Sequence, residues 1–351
     1  MKPLVSILIP AYNSQQWIAD TLRSAIAQTW PRKEIIVVDD GSTDQTLAIA
    51  RGFASDGVHV VTQKNQGASA ARNTAFSLSQ GDYIQWLDAD DLIAPNKIAS
   101  QMEVLDHPSS KLTLVSGPWG RFMYRPHRAK FVPTSLWSDL SPVDWLIRKM
   151  GQNLHMQTGT WLVSRELTQA AGPWDTRLVG DDDGEYFCRV LLASNGVRFV
   201  PDAKIYYREL GAASLSYIGF SSKKLDAQWF SMKAHIGYLR SLEESERVRV
   251  ACVQYMQNWM VFFFPERPDI FEEAAELAKV LGGKLNAPTF SWKYAWIKVM
   301  FGVRAAKRAQ VFFPRTKWSM ITWWDKMLFR IENRSQANEQ FVRSKAEHAR
   351  D

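Results

Sequence analysis

Short apolar, β-rich runs alternate with helix-forming segments at the start of the chain, and this alternation limits the possible folds more than any other feature. The strands are predicted at residues 4–9, 34–38, 59–61 and 83–87. The helices are predicted at residues 17–26, 43–53 and 68–79. Pro10 is expected to end the first strand, and Thr43 to cap the second helix. This order predicts an α/β fold with a doubly wound, mostly parallel sheet.

Polar and turn-forming residues follow three of these strands. They occupy residues 10–13, 39–40 and 88–91. In open α/β sheets, ligands bind beyond the carboxyl ends of the strands. The three segments are therefore predicted to converge on one binding edge.

The composition excludes several classes of protein. Its 46% hydrophobic and 23% charged residues are ordinary for a folded chain and argue against wholesale disorder. Two cysteines, Cys188 and Cys252, cannot build a disulfide framework, which suits a reducing compartment. No stretch reaches the roughly 18 consecutive apolar residues of a membrane-spanning helix. The apolar run before Pro10 is too short for a signal peptide.

Asp88 and Asp90, one residue apart after the fourth strand, are candidate metal ligands. Two such carboxylates can share Mg²⁺ or Mn²⁺ with the phosphate oxygens of a ligand. The alternative is an acidic turn before the next helix, and a single Asp-x-Asp pattern favours that alternative. Gly67 and Arg72, before and within the third predicted helix, change the balance. Glycine lets a backbone approach a ligand, and arginine suits phosphate.

Together these segments resemble the nucleotide-binding half of family 2 inverting glycosyltransferases, which have the GT-A fold. The matching segments are Pro10-Ala11-Tyr12-Asn13, Val38-Asp39-Asp40-Gly41-Ser42-Thr43-Asp44, residues 65–73 and Leu87-Asp88-Ala89-Asp90-Asp91. The resemblance continues more weakly to about Ser216. It implies a GT-A-like fold with a nucleotide-sugar half at 1–110 and an acceptor-binding, catalytic half at 111–220. A helical, basic extension is expected at 221–351.

The resemblance implies a donor site for a nucleoside-diphosphate sugar, most often UDP-linked in relatives. Its residues would be Pro10, Ala11, Tyr12, Asn13, Asp40, Gly67, Arg72, Asp88, Ala89 and Asp90. Asp40 would hydrogen-bond the base, and Asp88 would lie by the ribose. Asp90 would hold Mn²⁺ or Mg²⁺ on the diphosphate, with Asp88 as the other candidate ligand.

An acidic cluster at 181–183 supplies the candidate catalytic residues, Asp182 and Asp183. It resembles the family's Glu-Asp pair followed six residues later by Arg, here Arg189, with Asp182 in place of the Glu. The match places Asp183 as the base that takes the acceptor's proton. Crowding by its neighbours is expected to raise a pKa in the cluster. The alternative is an acidic helix amino terminus, and the choice between Asp183 and Asp182 stays open.

The acceptor side is expected to include Trp161 and Arg208. The segment 205–208, with Ser214 and Ser216, resembles one that closes over the donor diphosphate. Relatives often carry a histidine here, and this chain has none between residues 155 and 235. Water or phosphate oxygens are therefore expected in place of a third protein ligand.

The basic residues concentrate near the carboxyl terminus. Residues 284–330 hold ten Lys or Arg and one acid, Asp325, a net +9, so the rest of a chain with net +7 carries −2. One helical face is predicted to hold Trp292, Trp296, Val299, Val303 and Ala306, and Lys293, Arg304, Lys307 and Arg308 gather roughly opposite. Such helices suit a membrane interface. Packing of the stripe on the catalytic domain is the alternative, and nucleic-acid binding is not expected.

The sequence thus predicts inverting transfer of a sugar to a hydroxyl of a glycan or lipid-linked acceptor, in cell-envelope, exopolysaccharide or lipopolysaccharide synthesis. The enzyme is expected in the cytoplasm, peripheral on the inner face of the membrane. Two alternatives are a sugar nucleotidyltransferase and a catalytically inactive nucleotide-sugar or glycan binder. The first lacks its basic Gly-rich loop after strand one, and intact Asp88, Asp90 and Asp183 argue against the second.

Overall fold

The computed structural model describes residues 2–105, 111–209, 221–286 and 292–348, without the side chains of 292, 294, 295, 310–318 and 333–348. The described residues fall into two compact units. The first lies within 1–120, 131–207 and 215–289, and the second within 121–130, 208–214 and 290–351. The predicted boundaries near residues 110 and 220 stay predictions.

The elements up to residue 110 are β1 (Val5–Ala11), α1 (Ile18–Ile26), β2 (Lys33–Asp39), α2 (Thr46–Arg51), β3 (Val58–Thr62), α3 (Ala68–Leu78), β4 (Tyr83–Trp86), β5 (Leu92–Ile93) and α4 (Lys97–Glu103). Those up to residue 208 are β6 (Thr113–Ser116), β7 (Trp119–Phe122), β8 (Lys130–Phe131), α5 (Pro142–Gly151), β9 (Val163–Ser164), α6 (Arg165–Ala171), α7 (Asp182–Ala193), β10 (Gly196–Phe199) and β11 (Ile205–Arg208). Four helices follow: α8 (Ser222–Leu242), α9 (Glu246–Phe263), α10 (Pro268–Val280) and α11 (Trp292–His348).

The main sheet has the strand order β3-β2-β1-β4-β9. β1 pairs in parallel with β2 and with β4, and β2 pairs in parallel with β3. β9 adds an antiparallel edge. The predicted α/β sheet, doubly wound and mostly parallel, is therefore confirmed. All seven residues of β1 are buried, as expected for a central strand covered on both faces.

Two local predictions were wrong. The first strand does not end before Pro10 but continues to Ala11 in register with β2. Its pairing with β4 stops at Leu8, so Pro10 needs a partner on one side only. The second helix begins at Thr46, and Thr43 does not cap it. Asp44 accepts the backbone N–H of Thr46 (2.9 Å), which forms an Asx turn at the start of the helix.

Two further sheets complete the strands. β6 and β10 form a parallel pair, and the remaining strands follow the order β5-β11-β7-β8. The helices α8, α9 and α10 belong to the first unit. They bury Trp229, Met232, Tyr255 and Phe263, so the predicted helical character beyond residue 220 is confirmed there. In the described part of the chain, no helix has the length and apolar character needed to cross a membrane.

The second unit contains α11 and the segment 121–130. Arg125 joins the two through Asp325 (2.8 Å) and Glu332 (2.7 Å). Gly302 takes a non-helical conformation (φ 82°, ψ 173°) and divides α11. The prediction of one apolar face across residues 292–306 was therefore wrong. Lys307, predicted on the basic side, is buried as well.

Candidate active site

The loops after β1, β2 and β4 lie at one edge of the sheet because these strands are adjacent and parallel. Asn13 joins the first two loops: its N–H donates to Ser42 Oγ (3.0 Å), and its Oδ1 accepts the N–H of Thr43 (2.9 Å). Asn13 has the left-handed φ of 47° that asparagine tolerates. The predicted convergence of Pro10, Ala11, Tyr12 and Asn13 with the loop after β2 is thus observed. Tyr12 is half exposed.

Asp40 is buried and organises the loop before α3. Its Oδ1 accepts from Gln63 Nε2 (2.8 Å) and the N–H of Gln66 (3.0 Å), and its Oδ2 accepts the N–H of Gly67 (2.8 Å). Gly67 holds φ 92°, where a side chain would strain the backbone. The Asp40 carboxylate thus accepts three donors from the protein itself. The hydrogen bond predicted between Asp40 and a base stays a prediction.

Arg72 lies inside the site and joins two acidic segments. Its Nη2 donates to Asp88 Oδ1 (2.8 Å), and its Nη1 donates to Asp182 Oδ2 (2.7 Å). The guanidinium stacks over the Trp174 ring, 4.4 Å from its centroid. Arg72 is buried, and the two carboxylates raise its pKa further above the ordinary value, although burial alone would lower it. Its charge therefore holds the end of β4 against the start of α7.

The three consecutive aspartates point to three different sets of partners. Asp181 Oδ2 accepts from Ser231 Oγ on α8 (2.6 Å). Asp182 Oδ2 accepts from Arg72 and, at 3.2 Å, from Ser69 Oγ on α3. Asp183 lies 3.4 Å from the hydroxyl of Thr158 and accepts the N–H of Gly184. Among the described residues, Asp182 alone of the three has a cationic partner at hydrogen-bond distance, and Asp183 is the one that faces Thr158.

The pKa of Asp183 is raised to about 7. Burial is the largest cause, followed by the charges of Asp182 and Asp181, while Arg72 opposes the rise. A carboxyl group with this pKa is ionised for much of the time near neutral pH and still binds a proton readily. This is the property that a general base needs.

A small cavity of about 40 Å³ opens beside Asp183. Trp145, Lys149, His155, Met156, Trp161, Asp181, Gly184 and Phe187 line it as well. Trp161, predicted on the acceptor side, is buried and stacks on Phe187 at 5.2 Å. It forms a wall of this cavity and does not present an exposed face to a sugar.

Asp88 and Asp90 follow β4 with Ala89 between them, and both are half-buried. Their oxygens are the ligands that Mg²⁺ and Mn²⁺ prefer. Among the described residues, no three His, Cys, Asp or Glu side chains are grouped closely enough to hold a metal ion alone. The residues therefore fit an ion that takes its remaining oxygens from a diphosphate and water. Asp88 also binds Arg72, and the choice of Asp90 as the metal ligand stays a prediction.

Arg208 belongs to the second unit, where it is buried. It donates to the carbonyl of Met123 (3.0 Å), and its guanidinium lies 4.5 Å from the Phe122 ring centroid. Its acceptor-side role stays a prediction. Ser214 and Ser216 lie outside the described residues.

Three contacts of this site were not predicted from the sequence. Thr158 faces Asp183, Ser69 donates to Asp182, and Trp174 lies under Arg72. Trp174 also exchanges two hydrogen bonds with Asn73, at 2.9 and 2.8 Å. Ser69, Arg72 and Asn73 gave a signal, since all three stand in the matching segment 65–73. Single residues far along the chain, such as Thr158 and Trp174, carry none.

Comparison with known proteins decides the family. Residues 6–169 match the family described as glycosyl transferase family 2. This segment belongs to glycosyltransferase family 2. An uncharacterized glycosyltransferase of Rickettsia typhi, RT0329, is 28% identical over 263 residues, covering 74% of this chain and 80% of the relative. The putative teichuronic acid biosynthesis glycosyltransferase TuaG of Bacillus subtilis is 41% identical over 107 residues, covering 30% and 42%.

Solved structures of glycosyltransferases share the fold. S. aureus TarS 1-349 in complex with UDP-GlcNAc superposes with a TM-score of 0.63 at 18% identity, covering 81% of this chain and 82% of that TarS fragment. The mannosyltransferase PcManGT of Pyrobaculum calidifontis, in complex with GDP-Man and Mn²⁺, gives 0.51 at 17% identity, covering 95% and 87%. The predicted GT-A-like fold is confirmed.

Proposed function

We propose that this family 2 glycosyltransferase transfers a sugar, with inversion, from a nucleoside-diphosphate sugar to a hydroxyl group of a glycan or lipid-linked acceptor. The observation that carries the proposal is the separation of the aspartates. Asp181 is bound by α8, and Asp182 is bound by Arg72. Asp183 lines the cavity, and its pKa is near 7. One carboxylate is thus held apart as a base.

The mechanism follows from one displacement step. The acceptor hydroxyl attacks the anomeric carbon while its proton passes to a carboxylate oxygen of Asp183. The bond from that carbon to the diphosphate oxygen breaks, and the nucleoside diphosphate leaves with the bonding electrons. Attack opposite the leaving group inverts the configuration. Thr158 hydrogen-bonds the carboxylate and fixes its direction.

The donor is proposed to lie on the loops after β1, β2 and β4. Asn13 joins the loops after β1 and β2, and Asp40 holds the loop before α3, so the shape of these loops exists before a ligand binds. When bound, a Mn²⁺ or Mg²⁺ ion on Asp90 would neutralise charge on the diphosphate. UDP is the favoured nucleotide, since a structural neighbour holds UDP-GlcNAc. A cell-envelope glycan is the favoured acceptor class, in line with the teichuronic acid relative.

Donor binding tests this proposal. We expect the purified protein with Mn²⁺ or Mg²⁺ to bind, and slowly hydrolyse, one member of a panel of UDP-, GDP- and dTDP-sugars. Asp90→Ala should lose metal-dependent binding, because it removes the carboxylate placed for the ion. Asp226→Ala, on α8, is the matched control and should bind as the wild type does. If no sugar nucleotide binds with either metal, the donor site is wrongly assigned. Binding without any turnover would favour the inactive binder.

We further propose that the second unit contacts an anionic membrane surface. Trp296, Val299, Met300 and Phe301 are all exposed, between 59% and 86%, just before the break at Gly302. Trp323 and Trp324 are exposed too. Exposed apolar side chains in a segment of net +9 suit the interface of anionic lipids.

Vesicle binding tests the membrane contact. We expect the protein to sediment with phosphatidylglycerol vesicles and much less with phosphatidylcholine vesicles, since each nearby Lys or Arg contributes about 1 kcal/mol on an anionic surface. Phe301→Asp should weaken sedimentation by removing an inserted ring. Val250→Asp, at an exposed apolar position of α9, is the control. Equal sedimentation with both lipids, or equal loss in both variants, would contradict a specific contact.

A further inference from the structure

One face of α8 contacts the first turn of α7, where the proposed base lies. The residues of this face are Gln228, Ser231, His235 and Tyr238, which we call the α8 stripe. Their spacing of three and four residues places them on the same side of the helix. Gln228, Ser231 and His235 are buried. This stripe lies outside the segment that matches glycosyltransferase family 2.

The amino-terminal half of the α8 stripe, Gln228 and Ser231, binds Asp181. Ser231 Oγ donates to Asp181 Oδ2 at 2.6 Å, and Gln228 Nε2 donates to the same oxygen at 3.2 Å. Asp181 has φ 53°, a left-handed conformation that is uncommon outside glycine, although aspartate adopts it more readily than most residues. The two bonds to α8 restrain its side chain.

The rest of the stripe holds the residues around the base. His235 lies 3.4 Å from Ser231 Oγ. The Tyr238 hydroxyl donates to Glu185 Oε1 (2.8 Å). Asp183 therefore lies between two residues that α8 binds, Asp181 before it and Glu185 after it.

Gly184 lets the Asp181 side chain lie against the first turn of α7. A Cβ at position 184 would lie 2.1 Å from Asp181 Oδ1, so the Asp181 carboxylate would have to shift. The Asp181 carboxylate thus packs directly on the turn that carries Asp183. Removing the Asp181 carboxylate, or adding a side chain at position 184, should therefore displace this turn.

A buried polar chain continues behind the α8 stripe. His235 Nδ1 lies 3.0 Å from the Tyr255 hydroxyl on α9, and both side chains are buried. Burial, with the nearby charge of Lys149, lowers the pKa of His235 to about 4, although Asp181 opposes this. The ring is therefore neutral near pH 7, with one donor and one acceptor nitrogen. Nδ1 and the Tyr255 hydroxyl thus share one hydrogen bond, and Nε2 faces Ser231 Oγ.

We propose that the α8 stripe positions the first turn of α7 for catalysis, with Asp181 as the positioning residue through which it acts on Asp183. This rests on the proposed function. It makes the helices after residue 220 part of the catalytic apparatus rather than an appended region. The hydrogen bonds, the left-handed Asp181 and the close approach at Gly184 all bear on the same turn.

The test compares two variants of the positioning residue. Asp181→Gly keeps the left-handed backbone but loses the carboxylate, so kcat for hydrolysis of the preferred donor should fall about 10²-fold, as expected for a misplaced catalytic group. Its KM for the donor should stay within about twofold, because the donor loops are untouched. Asp181→Asn can still accept from Ser231 and should retain most of the kcat.

The pH profile adds a readout that loss of structure would not give. The groups facing Asp183 are Asp181 and Asp182 beside it, Arg72 on α3, Asp88 after β4, and Lys149 and His155 across the cavity. Asp181→Asn removes a charge that raises the pKa of Asp183, so the acidic limb of kcat should move to lower pH. An unmoved limb together with unchanged kcat in Asp181→Gly would overturn the proposal.

Two controls separate this proposal from the function on which it rests. Lys233→Ala, on α8 with an exposed ion pair to Glu273, should leave kcat unchanged. If the wild type turns over no donor, the proposed function fails. Amide hydrogen exchange at residues 182–186 then still tests whether the α8 stripe holds the first turn of α7 in place. Exchange should quicken in Asp181→Gly and Ser231→Ala but not in Lys233→Ala. Unchanged exchange in the first two variants would overturn the proposal.

Discussion

Asp183→Asn is expected to lower kcat for sugar transfer or donor hydrolysis by about 10³-fold while leaving donor affinity unchanged, in the range of a lost general base. The amide keeps the size and the contact with Thr158 but cannot take the acceptor's proton. The loss should not come from unfolding, because the variant removes one negative charge from a crowded group of carboxylates. Rates at saturating donor, with calorimetric titration of the donor, measure the two quantities separately.

The same residue sets the expected pH dependence. Because the base works in its ionised form and its pKa is about 7, kcat should rise through pH 7 and level off above it. Asp175→Asn is the matched control. Asp175 lies eight residues before Asp183 in the sequence and pairs with the exposed Arg177. Its profile should follow the wild type. A full rate in Asp183→Asn, or a flat profile below pH 7, would exclude Asp183 as the base.

The edge of the sheet was predictable from the sequence because it depends on local patterns. Apolar runs of strand length gave β1, β2 and β4, and the parallel order placed residues 10–13, 39–40 and 88–91 together. This edge therefore followed from the periodicity of the strands and from the rule that ligands bind beyond their carboxyl ends. Pro10 and Thr43 were misjudged because the outcome depended on which neighbour each strand end and helix end would meet.

The partners within the site were not predictable in the same way. Arg72 was expected to serve the donor, yet its side chain is buried between Asp88 and Asp182, 16 and 110 residues away. Likewise, the sequence left Asp182 and Asp183 as alternatives, because adjacent carboxylates look alike in a motif. The distinction arises because Arg72 of α3 binds Asp182 and Ser231 of α8 binds Asp181. One of these helices precedes the cluster in the sequence, and the other follows it. Such contacts depend on packing rather than on spacing.

Arg72→Met is expected to destabilise the protein by about 3–5 kcal/mol, the range for breaking a buried ion pair by removing one partner. The substitution leaves Asp88 and Asp182 close together without the guanidinium that now binds both. It also loses the stacking on Trp174. Arg72→Lys should fall between the wild type and Met, because a single ammonium cannot match a planar fork that spans two carboxylates. Urea unfolding of all three proteins measures the difference.

The comparison is sharpened by Arg177→Met, which removes an arginine from a pair on the surface. Arg177 is 74% exposed beside Asp175, so its loss should destabilise the protein much less than the loss of Arg72. Equal destabilisation by the two Met variants would mean that the Arg72 pairs contribute no more than a surface contact. Arg72 also lowers the pKa of Asp183, so in Arg72→Lys, which keeps a charge, the acidic limb of kcat should move less than in Arg72→Met. In Arg72→Met it should move to higher pH, the direction opposite to Asp181→Asn. Opposite shifts from removing a cation and an anion beside the same carboxylate would identify Asp183 as the group that titrates.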